Sequence, residues 1–286
     1  MDEPAGLHRV SGTTRTVGVI GWPVAHSLSP VIHNAAFAAL ALDWVYVPLP
    51  VHPEQLTAAV TGLGSLGFAG ANVTMPHKTL VADLIADLSD DARRLRAVNT
   101  IVFDGRLLRG ENTDAPGFDR FLRRDAAFDP SGRSALIFGA GGAARACALA
   151  LARGGADALT VAAREPARVA DLAAALDGLG TTVRAIAFED AADVGADLVV
   201  NATPLGAREE LLPVPRFGPD ALVVDLLYQP AVTPLLTQAR AAGALVFGGI
   251  GLLLHQAALS FERWTGQQPP LEVMSAAALA ALADRA

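Results

Sequence analysis

Of the 22 lysine and arginine residues in this chain, one is lysine, Lys78. Arginine stays protonated and presents a rigid fork, whereas lysine is a compact charge whose pKa moves with its surroundings. Giving up and retrieving a proton is therefore open to Lys78 and closed to the arginines. A leftover surface lysine is the competing reading, and the neighbours weigh against it. Lys78 ends the run Asn72-Val73-Thr74-Met75-Pro76-His77-Lys78. Gly70–Thr74 reads as the end of a short buried strand. Pro76 suits the first turn of a helix, where its missing N–H costs nothing, and Thr74 suits the N-cap. A hydroxyl and an ammonium are thus expected to flank one strand-to-helix turn.

A second stretch points to a nucleotide. Gly139-Ala140-Gly141-Gly142-Ala143-Ala144 follows an apolar strand and opens a helical pattern. This is the G-x-G-x-x-G/A fingerprint with Ala144 in the third place. The first glycine makes the turn, the second admits a pyrophosphate, and the helix N-terminus supplies N–H groups and positive dipole. An NAD site wants an acidic residue at the end of the next strand. That strand, Thr160-Val161-Ala162-Ala163, instead meets Arg164, with Arg168 four residues on. Two arginines at helical spacing are expected to clamp a 2′-phosphate, which selects NADP. Glu165 lies between them and either faces solvent or pairs with an arginine. A solvated helix face is the alternative for both arginines.

Short polar clusters complete the inventory. They are Ser27-x-Ser29, Asn72-x-Thr74, Asn99-Thr100, Asn112-Thr113-Asp114, Asn201-Ala202-Thr203-Pro204-Leu205-Gly206 and Gln256. Each alone reads as a cap or an Asx turn. Together they offer neutral donors and acceptors, one lysine and one carboxylate, which suits a polyhydroxylated ligand.

The elements that must position these groups alternate. Strands are expected at Thr16–Gly21, Trp44–Pro48 and Ala69–Thr74, with helices from Pro30 to Ala41, Pro53 to Leu66 and Pro76 to Leu88. Such spacing means parallel βαβ units. A hairpin turns about Asp104-Gly105, and a helix spans Pro116–Arg124. After a turn-rich break at residues 127–132 a new series begins. Strands are expected at Ser134–Phe138, Ala158–Ala163, Thr182–Ala187, Asp197–Asn201, Leu222–Leu226 and Ala244–Phe247. Helices are expected at Gly142–Arg153, Pro166–Asp177, Gly251–Thr265 and Leu271–Ala283.

Composition narrows the class. At 286 residues and 52% hydrophobic, the chain supports two ordinary domains and a sizeable core. A net charge of −7 argues against nucleic acid or an anionic membrane as partner. The single cysteine, Cys147, excludes an internal disulfide and fits a reducing cytoplasm. Met1–Thr16 lacks the apolar core of a signal peptide. Ala241–Phe261 carries no formal charge over a spanning length, yet its glycines, His255 and Gln256 read as strand, turn and helix. His8, His26, His33, His52, His77 and His255 lack ligand-like spacing, so no metal is expected.

Taken together, the chain resembles the shikimate dehydrogenase family. The pieces that carry the resemblance are residues 21–30 (GWPVAHSLSP), 70–78 (GANVTMPHK), 97–100 (AVNT), 110–114 (GENTD), the 139–144 loop, 201–206 (NATPLG) and 249–256 (GIGLLLHQ). They run in the family's order from about Val17 to Gly266.

The resemblance implies reversible NADPH-dependent reduction of 3-dehydroshikimate to shikimate in aromatic amino-acid biosynthesis. It implies that Ser27, Ser29, Thr74, Asn99 and Gln256 hold the substrate's carboxylate and hydroxyls, with Tyr228 approaching from the cofactor domain. Lys78 and Asp114 would be the catalytic pair at the reacting carbonyl. Gly139, Ala140, Gly141, Gly142 and Ala143 would cradle the pyrophosphate and Arg164 the 2′-phosphate. Thr203, Gly249 and Leu252 would line the nicotinamide end. The chain departs from the family's usual residues at Ala115, Ala163, Glu165, Ala207 and Leu252, which bears on cofactor preference and turnover rather than reaction class.

The expected fold is α/β, with two αβ domains around a cleft. Residues 116–249 form a Rossmann-type dinucleotide domain; residues 1–115 form a substrate domain completed by C-terminal helices from 250–286. The expected partner is a small-molecule substrate, in a monomer or homodimer. Two rival functions stand beside this one: quinate or aminoshikimate dehydrogenase on the same scaffold, and a non-catalytic NADP-binding sensor. Retention of Lys78 and Asp114 argues against the sensor. Proton delivery falls either to Lys78 or to Asp114 and water.

Overall fold

The computed structural model describes residues 10–285 apart from 106, 166, 209 and 219. It divides into two compact units, Met1–Thr113 with Gln256–Ala286, and Asp114–His255. Asp114 therefore opens the second unit, while Lys78 belongs to the first.

The first unit is built on a six-stranded mixed sheet. β1 (Arg15–Gly21) leads through α1 (Ser29–Ala39) to β2 (Trp44–Pro50), then through α2 (Leu56–Ser65) to β3 (Gly70–Val73). β1 pairs in parallel with both β2 and β3, as the strand–helix spacing requires. The chain then forms α3 (Lys78–Leu84), the short β4 (Asp87–Leu88) and α4 (Asp90–Leu95). The hairpin of β5 (Thr100–Asp104) and β6 (Leu107–Glu111) closes the sheet in the order β2-β1-β3-β5-β6-β4. β5 runs antiparallel to β3, so the unit is not a pure βαβ stack. Buried apolar side chains from β1, α2, β3, α3 and β5, among them Ile20, Val60, Val73, Val81 and Ile101, fill one core.

On α1, His33 is fully buried in an aromatic cluster, stacked on Tyr46 with ring centroids 4.5 Å apart. Neither ring nitrogen has a hydrogen-bond partner among the described residues. Burial pushes its pKa down from 6.5 to about 3, so it folds as the neutral imidazole. In the unfolded chain it takes up a proton below 6.5. The stability it contributes is present above that pH and is lost as the pH falls toward about 3. Urea midpoints measured from neutral to about pH 4 should fall less steeply in His33→Phe than in the parent. Superimposable acid limbs would contradict a buried neutral histidine.

The second unit opens with α5 (Asp114–Arg124), followed by β7 (Ser134–Phe138), α6 (Gly142–Arg153), β8 (Ala158–Ala162), α7 (Ala167–Ala175) and β9 (Thr182–Ile186). The chain then returns to the other side of β7 as β10 (Leu198–Asn201), β11 (Leu222–Asp225), α8 (Pro234–Ala241) and β12 (Leu245–Phe247). The sheet order is β12-β11-β10-β7-β8-β9 and every pairing is parallel. β7, β10 and β11 are largely or wholly buried apolar runs, as strands covered on both faces must be. Strand order reverses between β7 and β10, and doubly wound sheets bind ligands beyond the carboxyl ends of the strands at such a point. α9 (Ile250–Thr265) carries the chain back, and α10 (Leu271–Ala283) packs on α1.

Several boundaries differ from expectation. The helix expected from Pro76 begins at Lys78, because the Thr74 carbonyl accepts from the His77 N–H at 3.0 Å and closes a turn over residues 74–77. Thr74 is therefore not the N-cap; His77 holds that place without a side-chain cap. Two α-helices go unread in the sequence, although both carry start signals. Ser89 caps α4 through the Ala92 N–H, and Thr233 caps α8 through Leu236 N–H with Pro234 following. Pro166 and His8 lie outside the described residues. The uncharged run from Ala241 resolves into β12 and α9, and no helix of the described residues is long and apolar enough to cross a membrane.

Candidate active site

In the first unit a buried hydrogen-bond network joins most of the expected substrate contacts. Asn72 on β3 lies opposite Thr100 on β5. Its carbonyl accepts from the Tyr46 hydroxyl at 2.8 Å, and its amide donates to Thr100 Oγ1, Ser260 Oγ and the Asn99 carbonyl at 3.0–3.1 Å. Tyr46 is hydrogen-bonded in turn to Ser29, the first residue of α1, and burial raises its pKa. Asn99 Oδ1 accepts from the Thr113 N–H at 2.7 Å, while its amide donates to Thr113 Oγ1 at 2.9 Å and Gln256 Oε1 at 3.4 Å. Ser260, one turn beyond Gln256 on α9, donates to the Gln256 carbonyl and contacts Thr100 and Thr113. Ser29, Asn99 and Gln256 are thus linked through groups that are themselves buried.

Ser27 is half-buried and accepts from the Ser29 N–H at 3.2 Å. Thr74 donates its N–H to the Ile20 carbonyl. Lys78 is half-buried at the first residue of α3, and its carbonyl accepts from the Val98 N–H at 2.8 Å, next to Asn99. The turn at 74–77 and this bond set where the only lysine leaves the backbone.

In the second unit, Gly139 has φ +102°, a conformation open to glycine, and any side chain there would come within 3.0 Å of Thr203 Cγ2. Gly141 is the N-cap of α6 and has nothing within 4 Å of where a side chain would stand. Gly142 and Ala143 form the first turn. A pyrophosphate therefore fits here, with open space and free helical N–H groups. Arg145 braces the loop, donating to the Ala140 carbonyl at 3.4 Å and to Asp171 of α7 at 3.3 Å.

The two arginines expected to act together do not share a helix. Arg164 is exposed in the loop between β8 and α7, with no acidic partner among the described residues, whereas Arg168 lies on α7. Arg168 Nε donates to Glu165 Oε2 at 3.1 Å. Glu165 thus engages Arg168, and Arg164 is the arginine that fits a 2′-phosphate. Thr203 also differs from a simple lining residue. Its hydroxyl donates to Asn201 Oδ1 at 2.7 Å and accepts from the Leu205 N–H, so it is used within its own loop. Gly249 is buried and a side chain there would overlap the Leu226 carbonyl. Leu252 stands in the first turn of α9, Tyr228 is half-buried in the turn after β11, and Asp114 is buried at the N-terminus of α5.

Comparison with known proteins agrees in each part of the chain. Residues 19–101 match the shikimate dehydrogenase substrate binding domain, 133–228 the coenzyme F420-dependent NADP oxidoreductase family, and 249–279 the shikimate 5′-dehydrogenase C-terminal domain. The shikimate dehydrogenase (NADP(+)) of Geobacter metallireducens is 45% identical over 96% of this chain and 99% of its own. The chain belongs to the shikimate dehydrogenase family. Among solved members, shikimate 5-dehydrogenase from Thermus thermophilus, in complex with NADP(H) and shikimate, superposes with a TM-score of 0.84 at 36% identity, covering 94% of this chain and 100% of that one. Quinate dehydrogenase from Corynebacterium glutamicum, in complex with NAD, gives 0.82 at 32% identity, covering 93% and 99%.

Within this family frame, sequence reasoning missed the groups that hold the expected contacts in place. Tyr46 and Ser260 belong to no compact motif, and Asn72, Thr113 and Asn201, though part of the polar clusters, read there as caps or turn formers. Asn72 ties four residues of the network together, Tyr46, Asn99, Thr100 and Ser260. Asn72→Ala should destabilise the fold by about 2–4 kcal/mol, since the Tyr46 hydroxyl and Thr100 lose buried partners. Urea denaturation measures this; a loss below about 0.5 kcal/mol would mean that water replaces the amide.

Proposed function

We propose that this chain is an NADP-dependent shikimate dehydrogenase, reversibly reducing 3-dehydroshikimate to shikimate in aromatic amino-acid biosynthesis. The observation that carries the reading is identity of 45% along 96% of the chain to a relative of that activity. The residues support it. Ser27, Ser29, Thr74, Asn99 and Gln256 bind the substrate's carboxylate and hydroxyls, and Tyr228 adds a contact. The glycine loop and Arg164 hold NADP, with Thr203, Gly249 and Leu252 toward its nicotinamide.

When bound, NADP supplies the two-electron acceptor for the alcohol carbon, or the donor in the reverse direction. Lys78 and Asp114 manage the proton. In reduction, oxygen charge grows as the carbonyl becomes an alkoxide; the Lys78 ammonium stabilises that charge and donates the proton. Asp114 is assigned to orient the ammonium and balance its charge. In oxidation the same pair removes the hydroxyl proton. The single cysteine and the biosynthetic role support a cytoplasmic site of action.

The test is the absorbance of reduced nicotinamide with purified protein and four pairings, shikimate or quinate with NADP or NAD. Strong signal with shikimate and NADP alone is expected. Dominant signal with quinate or NAD would move the protein to the sister activity that the Corynebacterium structure represents. Silence in all four would overturn the reading.

A further inference from the structure

Asp225 is the last residue of β11, in register with Asn201, the last of β10, which is in register with Phe138, the last of β7. Three parallel strands thus end together, and the glycine loop, the Thr203 loop and the Tyr228 turn leave from these ends. Asp225 is fully buried, and no lysine, arginine or histidine reaches it among the described residues. An unpaired buried carboxylate is costly unless hydrogen bonds satisfy it. Here three do. Oδ1 accepts from Asn201 Nδ2 at 2.9 Å and from the Leu227 N–H at 3.1 Å, while Oδ2 accepts from Thr233 Oγ1 at 2.6 Å. Burial raises its pKa and the three donors pull it back.

Each bond reaches a different segment. Asn201 uses its carbonyl to hold the Thr203 N–H and hydroxyl, and its amide to hold the Leu205 carbonyl. Leu227 immediately precedes Tyr228, and its carbonyl accepts from the Gly249 N–H at 3.0 Å. Thr233 caps α8. One carboxylate therefore sets the spacing among Thr203, the Tyr228 turn and Gly249, all three assigned above to the reacting end of the cofactor and substrate.

We propose that Asp225 is a positioning residue for hydride transfer, acting through Asn201 and Leu227 rather than by touching substrate or cofactor. The inference rests on the proposed function for its kinetic readout. Its requirement is for geometry and not for charge. An asparagine oxygen at the Oδ1 place keeps both loop bonds, and its amide at the Oδ2 place donates to Thr233. Thr233 Oγ1, which already accepts from Leu236 N–H at 3.4 Å, has a second lone pair for that purpose.

The experiment compares D225A, D225N and T233V with the parent in shikimate oxidation, in NADP binding and in amide hydrogen exchange. D225A should lose about 100-fold in kcat and raise the KM for shikimate, as a misplacement near the reacting atoms does, while NADP affinity held by the glycine loop and Arg164 stays within about threefold. D225N should restore kcat to within about fivefold of the parent. Exchange should quicken in D225A at the amides of Thr203, Leu205 and Leu227, with β7 unchanged. Parental kinetics and exchange in folded D225A would overturn the proposal, as would D225N being as impaired as D225A. Should D225A fail to fold, T233V removes one of the three donors away from both loops; a loss of about fivefold in kcat with faster exchange at Leu227 supports the proposal, and parental values overturn it. A parent inactive on shikimate would defeat the proposed function alone, and the exchange pattern would then decide the role of Asp225.

Discussion

Lys78→Ala is expected to lower turnover with shikimate and NADP by about 10³-fold while changing shikimate affinity within about threefold. The asymmetry follows from when the ammonium acts. Its attraction for the substrate hydroxyl is modest, whereas its interaction with a growing alkoxide is charge against charge. A loss of that size corresponds to about 4 kcal/mol of transition-state stabilisation. The fold should survive, because the contact that ties residue 78 to Val98 uses the backbone carbonyl, which alanine keeps. Alanine also suits the first turn of α3. Ser27→Ala supplies the contrast: a lost neutral hydrogen bond raises KM about tenfold with kcat nearly intact. Steady-state kinetics for both variants, with shikimate binding measured directly, separate the two effects. Near-normal turnover with only a raised KM in Lys78→Ala would remove Lys78 from the chemistry.

What could be read from the sequence was whatever a local rule dictates. β7 and α6 end where expected because an apolar strand, a glycine turn and an alanine-rich helix leave the backbone few choices between Ser134 and Arg153. The start of α3 was not legible, since the 74–77 turn depends on how Thr74 is held against β1. The polar hub was less legible still. Thr113 and Ser260 meet across a separation of 147 residues, and no pattern within a window can pair them. The chemistry-bearing side chains stood out by type, as a sole lysine or a clustered asparagine. Their supports, Tyr46, Ser260 and Asp225, did not, because a buried serine or tyrosine is ordinary until its partners are known. Glu165 falls between these cases. Its nearness to two arginines was visible, but only the loop conformation shows that it takes Arg168 and leaves Arg164.

That partition predicts an unequal effect of the two arginines on cofactor choice. Arg164→Ala should raise the KM for NADP by about 30- to 100-fold, the worth of a charge-assisted contact to phosphate, and leave NAD-dependent activity within about threefold. Arg168→Ala should change the KM for NADP by only about twofold, since its partner is Glu165 and both side chains are well exposed, where ion pairs contribute little. The difference should shrink as salt rises and screens the exposed guanidinium. Measuring KM for both cofactors at low and high ionic strength checks all three statements. Equal losses in the two variants would mean that Arg168 leaves Glu165 when NADP binds, and that both arginines clamp the phosphate after all. A similar loss with NADP and NAD in Arg164→Ala would instead place Arg164 against a part common to both cofactors. The basis of NADP preference would then have to be sought elsewhere on the β8–α7 loop.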